Sequence, residues 1–414
     1  MWNCICAEPL IWWCTRRILR KTARYDAVVL LRWLRPDIPI RALVGFLLSG
    51  FLFALTGALL PAWGYDVQTD YATAGRYFLS VTAGMLAAGT LVGKLRKKLS
   101  PRAILTMACT VASLGLVALA MLPDQFPWHA LGLAIIGTGA GFLHTGLFEA
   151  ILPIWERSPA TTIILGGIFF GGGSVASALL IAGTYYAYSL PTILLILAAV
   201  PAGFAFLYVR TPFPRAGLVA HPLVVKQFRS GAAILFSLLL LFQFGNEWSV
   251  AGWLPIFLVH RLGLSPASAL KFLAAYFGWL TAGRVLMYYL LPRTNPWRLL
   301  VGSAAASLLG CLMLVGTNNR LGAAFATALL GLGFAAIYPL TAAWIGRRFP
   351  YYHPGYFNGI FSFALAGGML APWIIGEIAD RAETWSVLTL PAFGTVMVVF
   401  LLLLIWVEGK VSGE

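Results

Sequence analysis

Long apolar segments alternate with short polar ones along this chain, and the pattern predicts twelve membrane-spanning helices. Each apolar segment has about 20 residues or more, the length that a helix needs to cross the hydrocarbon core of a bilayer. The segments lie at about 41–64, 71–95, 103–122, 129–153, 160–186, 191–210, 231–258, 267–292, 297–316, 322–346, 356–379 and 384–407. A polar linker at 211–229, which contains Pro212, Pro214 and Pro222, separates the first six segments from the last six.

The two sets of six repeat each other at a constant spacing of 194 residues. The matching pairs are Pro61 and Pro255, Gly84 and Gly278, Gly89 and Gly283, Ser113 and Ser307, Gly137 and Gly331, and Gly139 and Gly333. Because six crossings return the chain to its starting side, the halves share one orientation and are related by an axis along the membrane normal. The sequence therefore predicts an all-α membrane protein of two pseudo-symmetric six-helix bundles, residues 41–210 and 230–414.

The composition supports a membrane protein and gives no sign of a metal or cofactor site. The chain is 60% hydrophobic and 10% charged, and a soluble protein could not cover so much apolar surface. Cys109 and Cys311 lie in apolar segments, where they resemble small core residues. Cys4, Cys6 and Cys14 cluster near the start, but neither a histidine nor a fourth thiol completes a metal-ligand set. We expect no metal and no cofactor.

The positive charges indicate which side of the membrane holds the chain termini. A net charge of +15 would also suit a nucleic-acid partner, but 23 of the 29 lysines and arginines fall in segments on the terminal side. By the positive-inside rule, both termini of this multi-pass protein are cytoplasmic, in the plasma or inner membrane. Residues 1–40 are basic and contain Trp12, Trp13 and Trp33, which predicts an interfacial helix on membrane lipids, with a poorly ordered leader as the alternative.

Polar residues are concentrated in the fourth, seventh and tenth segments, whereas the third, sixth, ninth and twelfth contain no ionisable residue in their apolar interiors. A charged or amide group that faces lipid would cost several kcal/mol, so these residues should face a wet cavity. Hydroxylated ligands need short polar groups and an aromatic face. The candidate substrate-binding residues are Thr138, His144, Thr145, Gln243, Asn246, Glu247, Trp253, Tyr338 and Thr341.

Several motifs resemble those of a known family. They lie at 137–146 (GTGAGFLHTG), 245–248 (GNEW), 252–255 (GWLP), 282–284 (AGR) and 337–339 (IYP). On these residues the chain resembles the Major Facilitator Superfamily, and within it the fucose permease-like branch of sugar porters. The resemblance implies twelve helices in two bundles, transport of a small molecule with a proton or, alternatively, sodium, and function as a monomer.

The chain also departs from that family. The superfamily's cytoplasmic motif after the second helix corresponds here to Gly89, Gly93, Lys94, Arg96, Lys97 and Lys98. Gly93 occupies the position where an acid is usual, and the first segment has no acid at all. His144 lies where relatives often have aspartate, with Glu149 nearby.

Three ionisable residues are candidates for proton coupling or gating. Glu149 could bind the proton, although its place near the cytoplasmic end also suits a gate or interface anion. His144 suits a proton switch or a hydroxyl ligand, and a neutral histidine bonded to the other half is the alternative. Arg284 needs a carboxylate or carbonyl partner, which favours a gate over substrate contact.

Together these features predict a transporter and not an enzyme. No glycine-rich stretch has the Lys-Ser/Thr ending of a nucleotide site, and no nucleophile, base or metal cluster converges. We expect alternating access that moves a sugar or polyol, coupled to a proton. Efflux of an amphipathic compound is the first alternative, and a non-transporting sensor or scaffold with the same fold is the second.

Overall fold

The computed structural model describes residues 40–66, 70–152, 159–213, 230–349, 359–382 and 387–411. Within these ranges it consists of twelve α-helices and no strand. The helices are α1 Ile40–Asp66, α2 Tyr71–Leu95, α3 Pro101–Met121, α4 Phe126–Ala150, α5 Pro159–Thr184, α6 Leu190–Val209, α7 Gly231–Leu262, α8 Pro266–Leu290, α9 Pro296–Gly316, α10 Arg320–Arg348, α11 Ile360–Ala382 and α12 Thr389–Val411. The predicted fold class is confirmed. The basic segment 1–39 and the linker from residue 214 to 229 lie outside the described residues.

Local sequence explains where the helices begin. Side chains of Asp70, Ser100, Ser230 and Ser265 each accept the backbone N–H three residues further on, which satisfies one of the free donors of a helix start. A proline follows directly after Ser100 and after Ser265, where its missing N–H costs nothing. These caps leave short turns between antiparallel neighbours.

Eleven of the described helices are long and apolar enough to cross a membrane by themselves. The exception is α8, which contains Lys271 and Arg284. It has the same 25-residue length as α2 and α4, and it packs between α5 and α10. The chain is an integral, multi-pass membrane protein.

The packing scheme of the first six helices is repeated by the last six. In the N-half, α1–α6, α4 packs on α2 and α3, α3 also packs on α6, and α1 packs on α5. In the C-half, α7–α12, α10 packs on α8 and α9, α9 also packs on α12, and α7 packs on α11. The halves meet where α1 contacts α7, where α2 contacts α11 and where α5 contacts α8. These contacts give the pseudo-twofold arrangement that the repeat predicted.

The repeated glycines occupy equivalent packing positions. A side chain at Gly137 would strike the carbonyl of Val81 in α2, and one at Gly331 would lie 2.6 Å from the carbonyl of Tyr276 in α8. Both glycines therefore let the middle helix of a bundle lie against its neighbour at backbone distance. The pair Gly139 and Gly333 does the same toward α3 and α9, where a side chain would come within 2.7 Å of Ala112 N and 2.5 Å of Ser307 N.

The helices α3, α6, α9 and α12 present their large apolar side chains on the outside of the bundle. Leu114, Phe206, Leu312 and Leu403 are all exposed there. An apolar outer face of this kind is stable in lipid, because no water contacts it there. We call the side where α1 begins and α12 ends the terminal face, and the opposite side the far face.

Candidate functional site

A cavity of about 1380 Å³, part of it open to the surroundings, lies between the two halves. It extends from Phe78 and Gly252 in the middle of the bundle to Phe148, Thr162 and Phe361 near the terminal-face ends of their helices. Toward the far face no lining residue lies beyond the level of Phe78 and Gly252 in the described part of the chain. The cavity therefore faces the terminal side.

Helical periodicity decides which side chains reach the cavity. The lining residues of α7 are Phe244, Glu247, Trp248, Ala251 and Gly252, which follow the spacing of one helical face. Those of α4 are Ile136, Ala140, His144 and Phe148, each four residues after the last. Only one stripe of each helix faces the space between the halves.

The C-half contributes a carboxylate and a guanidinium to the same cavity. Gln243 is fully buried behind the wall, and its Nε2 donates to Glu247 Oε1 at 2.7 Å. Arg284 is 5% exposed, and its Nη1 donates across the interface to the carbonyl of Gly167 in α5 at 2.7 Å. Glu247 and Arg284 attract each other electrostatically, and each also has a hydrogen bond of its own. A buried charge without such partners would be very costly.

Two polar atoms of this wall have no partner among the described residues. They are Gln243 Oε1 and Arg284 Nε, both buried. Gly167 explains the position of the arginine, because a Cβ at residue 167 would lie 2.8–3.1 Å from the Arg284 side chain. The guanidinium is therefore held between the halves and has hydrogen-bonding capacity to spare.

Half-buried aromatic rings surround this polar wall. Phe53 lies against Trp248 with ring centroids 4.9 Å apart, and against Phe170 at 5.2 Å. Phe244 meets Tyr338 edge to face at 4.9 Å. All five rings line the cavity, Phe53 and Phe170 from the N-half and the other three from the C-half. The site therefore offers apolar ring faces beside one acid and one base.

Between the middle of the bundle and the far face the halves are in direct contact. A side chain at Gly57 in α1 would strike the carbonyl of Ala251 in α7 and would lie 2.8 Å from Gly252 Cα. Gly75 in α2 and Gly376 in α11 are equally close, with 2.8 Å between Gly75 Cα and a Cβ built on Gly376. These backbone contacts close the cavity on this side.

Aromatic and charged side chains complete the far-face closure. Trp253 is fully buried, donates from Nε1 to the carbonyl of Pro372 at 3.1 Å, and packs on the rings of Tyr71 and Phe78 at 6.0 and 5.8 Å. Nearer the surface, Arg76 and Glu377 form an ion pair across the halves with Nε and Oε1 3.5 Å apart. We call Gly57, Gly75, Gly376, Trp253 and the Arg76–Glu377 pair the far-face gate.

The structure brings some of the predicted site residues to the cavity and not others. His144, Glu247 and Tyr338 line it, as does Arg284, and Gln243 supports Glu247 from behind. The remaining predicted substrate residues do not line it: Thr138, Thr145, Asn246, Trp253 and Thr341.

The non-lining residues have other neighbours. The Thr138 hydroxyl donates to Ala134 O of its own helix at 2.8 Å, and Asn246 Nδ2 donates to Thr395 Oγ1 of α12 at 3.3 Å. Thr145 and Thr341 are buried, and Trp253 belongs to the far-face gate. Phe53, Phe170 and Trp248 were not predicted as site residues, because an apolar side chain in a cavity wall has the same sequence pattern as one that faces lipid.

The other candidate residues lie nearer the terminal face. Glu149 is buried one position beyond the cavity stripe of α4, and its Oε2 has no partner among the described residues. The motif residues Gly89, Gly93, Lys94, Arg96, Lys97 and Lys98 form the end of α2 and the turn after it. Side chains at Gly89 and Gly93 would meet nothing within 4 Å, in contrast to Gly75 at the other end of the same helix.

The sequence profile of the Major Facilitator Superfamily matches residues 13–152 and 145–372, which together make up most of the chain. The protein belongs to this superfamily. It is a secondary transporter, and the described helices have the paired six-helix bundles of that fold. Its sequence matches no curated protein.

Three solved structures resemble the chain in fold. FucP in the outward conformation is 19% identical with a TM-score of 0.64, over 89% of this chain and 99% of FucP. A variant of the E. coli fucose:proton symporter FucP is 18% identical with a TM-score of 0.63, over 89% and 98% of the two chains. A variant of the nucleoside transporter NupG is 16% identical with a TM-score of 0.67, over 88% and 99%. The chain resembles the fucose permease branch, and at these identities the likeness concerns the fold.

Proposed function

We propose that this transporter takes up a small hydroxylated solute, a sugar or polyol, together with a proton across the plasma or inner membrane. The halves rock about the cavity so that it opens to one face at a time. The terminal face, with its excess of lysine and arginine, is the cytoplasmic side. The observation that carries the proposal is the cavity itself, which both halves line and which the far-face gate closes at one end.

The lining chemistry suits a hydroxylated ring. Glu247 accepts hydrogen bonds, Arg284 donates them, and His144 and Tyr338 can do either. Phe53, Phe170 and Trp248 supply flat apolar faces against which the less polar face of a sugar ring packs. One acid and one base make the wall neutral overall, which favours an uncharged substrate over a phosphorylated one.

The structural neighbours support this substrate class. FucP is a fucose:proton symporter and NupG is a nucleoside transporter, so both carry solutes that contain a sugar ring. The five aromatic rings of the cavity wall offer more apolar surface than an open-chain polyol needs. A ring-shaped substrate is therefore favoured over an open-chain polyol.

Proton coupling is assigned to Glu149 and His144, with Arg284 as a gate between the halves. His144 lies in the cavity wall, where a substrate would contact it. Glu149 is buried five residues further along α4, where its charge depends on whether water reaches the terminal-face end of the cavity. We also propose that the protein works as a monomer and that its basic N-terminal segment binds membrane lipids.

Uptake into proteoliposomes with an imposed proton gradient tests the proposal. Fucose, other sugars, polyols and nucleosides are supplied as labelled solutes, and we expect gradient-driven accumulation of at least one ring-containing solute. Glu149→Gln should abolish accumulation while counterflow continues, and Asp380→Asn, an exposed acid on the far face, is the matched control. A Glu149→Gln protein that still concentrates the solute contradicts the coupling assignment, and no flux of any solute contradicts the function.

The aromatic rings that line the cavity favour a second candidate function, the efflux of an amphipathic compound. Five half-buried rings line the cavity and offer apolar surface to such a compound. Inside-out vesicles distinguish the two directions, because an efflux transporter accumulates a labelled amphipathic cation or ether and ignores fucose. Ligand binding without flux would instead indicate a sensor or scaffold.

A further inference from the structure

A second group of titratable side chains lies in the N-half at the far face, outside the cavity. His129, in the first turn of α4, is buried, with its Nδ1 3.1 Å from the hydroxyl of Tyr77 in α2. Its Nε2 lies 3.0 Å from a carboxylate oxygen of Asp124, in the turn before α4. Its ring stacks on Trp63 of α1, with centroids 5.1 Å apart and planes 22° apart. We call these four residues the His129 cluster.

The neutral histidine satisfies both of its partners. Asp124 can only accept, so the Nε2 atom of His129 carries the hydrogen and donates it, and Nδ1 then accepts the hydroxyl proton of Tyr77. After protonation both nitrogens donate, and the Tyr77 hydroxyl proton loses its acceptor. The bond to Tyr77 then reverses, because Nδ1–H donates to the hydroxyl oxygen. The buried hydroxyl proton is left without an acceptor, and this cost destabilises the packing of α2 on α4.

The same cluster also contains partners for the protonated form of His129. The imidazolium gains an ion pair with Asp124 and lies over the face of Trp63, where a cation is attracted by the ring. Among the described residues, the charged groups that face the cluster are Asp124 and Asp70, and both act electrostatically on Tyr77. The Asp124 side chain is 64% exposed, so protons of the far-face solution reach the pair.

Tyr77 connects the cluster to the far-face gate. It lies in α2 between Arg76, which pairs with Glu377 of the other half, and Phe78, which packs on Trp253. A change in how α4 holds Tyr77 therefore acts on the stretch of α2 that touches α7 and α11. The gate is the two-state element that such a change would bias.

We propose that His129 is a proton-binding site of the far face and that its protonation loosens α2 and lets the far-face gate open. Acid on the far side then favours the state that receives solute from that side. The site is separate from the cavity, and the proposal depends on the transporter fold but on no particular substrate.

The distance between the halves at the far face is the direct readout. Spin labels are placed at Tyr186 in the N-half and Leu321 in the C-half, two exposed far-face positions away from the gate, after the five native cysteines are replaced by serine. Pulsed dipolar distances are recorded in nanodiscs at about pH 8 and about pH 5, the range over which an ordinary histidine changes charge. We expect the fraction of long distances to rise about fivefold in acid, the effect of one buried hydroxyl proton left without an acceptor.

Two variants and one control make the test decisive. His129→Gln keeps a donor and an acceptor but binds no proton, so its distances should not change with pH, whereas His260→Gln, an exposed histidine of the same face, should keep the response. Tyr77→Phe removes the link itself and should give long distances already at about pH 8. An unchanged pH response in His129→Gln, or no response in the parent protein, overturns the proposal. No solute is present, so the result is independent of the proposed sugar transport.

Discussion

At the far face the two halves touch backbone to backbone, whereas toward the terminal face the cavity separates them. On the far side, Gly57, Gly75 and Gly376 allow helices of opposite halves to meet without any side chain between them. On the terminal side, α4 and α10 hardly touch within the described residues, and Gly89 and Gly93 of α2 have open space around them. The comparison shows which contacts must break and which must form when the cavity turns to the other face.

The difference between the two ends arises from side-chain size more than from charge. Far-face closure depends on glycines and on one buried tryptophan, and the Arg76–Glu377 ion pair is partly exposed. The contact between α5 and α8 crosses the middle of the bundle, where Arg284 lies on Gly167. We therefore expect changes in volume at the far-face gate to have larger effects than changes in charge.

The largest effect is expected from Gly57→Val. The added side chain would overlap the carbonyl of Ala251, so α1 and α7 could no longer close on the far side. Overpacking of this kind costs up to about 3 kcal/mol, which corresponds to a loss of solute flux of roughly 100-fold. The matched control is Gly183→Val in α5, where a side chain meets nothing within 4 Å.

Two measurements separate a blocked gate from a damaged fold in Gly57→Val. The distance between labels at Tyr186 and Leu321 should lengthen at every pH, while the melting temperature should fall by only a few degrees. A variant with normal distances and normal flux would show that the contact between α1 and α7 does not form the gate.

A smaller effect is expected from Gly167→Val. The valine would displace the Arg284 side chain, whose Cδ, Nε and Cζ atoms lie 2.8–3.1 Å from the position of the added Cβ, and would break the bond to the residue 167 carbonyl. Loss of a charge-assisted hydrogen bond predicts about tenfold lower flux. Gly172→Val, also in α5 but with open space around it, is the control.

A double-mutant cycle between residues 167 and 284 sharpens this prediction. Arg284→Gln should lose at least as much flux as Gly167→Val, because it removes the same bond and also the charge that stabilises Glu247. The double variant should lose no more than Arg284→Gln alone. Additive losses would mean that Arg284 acts on the substrate and Gly167 acts on packing.

The same comparison explains what the sequence could and could not predict. Helix number and the two-bundle fold follow from apolar length and from the 194-residue repeat, which the structure shows to be a repeat of close packing. Gly173 and Gly367 have the same spacing, and side chains there would strike the carbonyls of Leu47 and Leu241 in equivalent places. This pair was not among the predicted matches, although its spacing of 194 residues is visible in the sequence.

The site was less predictable, because polarity identifies a helix but not the face that lines a cavity. In α7, Glu247 and Asn246 are adjacent, yet only Glu247 belongs to the stripe with Phe244 and Trp248, while Asn246 bonds to α12. Packing against α11 and α12 sets the rotation of α7 about its own axis. This packing cannot be predicted from the sequence of α7 alone. For the same reason the His129 cluster was not foreseen, since its members come from α1, α2, α4 and a turn.

The smallest effect is expected at the ion pair of the far-face gate. Arg76 Nε and Glu377 Oε1 lie 3.5 Å apart, and their side chains are 51% and 29% exposed, so water and salt weaken the attraction. Arg76→Gln should therefore increase the long-distance population by only about threefold, as exposed pairs contribute at most about 1 kcal/mol. Glu377→Gln should have a similar effect, because the glutamine oxygen can still accept the hydrogen bond that Trp373 Nε1 donates to Glu377 Oε1 at 3.2 Å.

The exchanged pair Arg76→Glu with Glu377→Arg decides whether charge or position matters there. If attraction across the halves is the function of the pair, the exchange should restore most of the short distances. Any remaining difference between the exchanged variant and the parent protein should vanish at about 1 M salt, where exposed charges are screened. An exchange that opens the gate as far as Gly57→Val does would instead place these charges among the contacts that closure requires. In that case the far-face gate would depend on charge as much as on the size of its glycines.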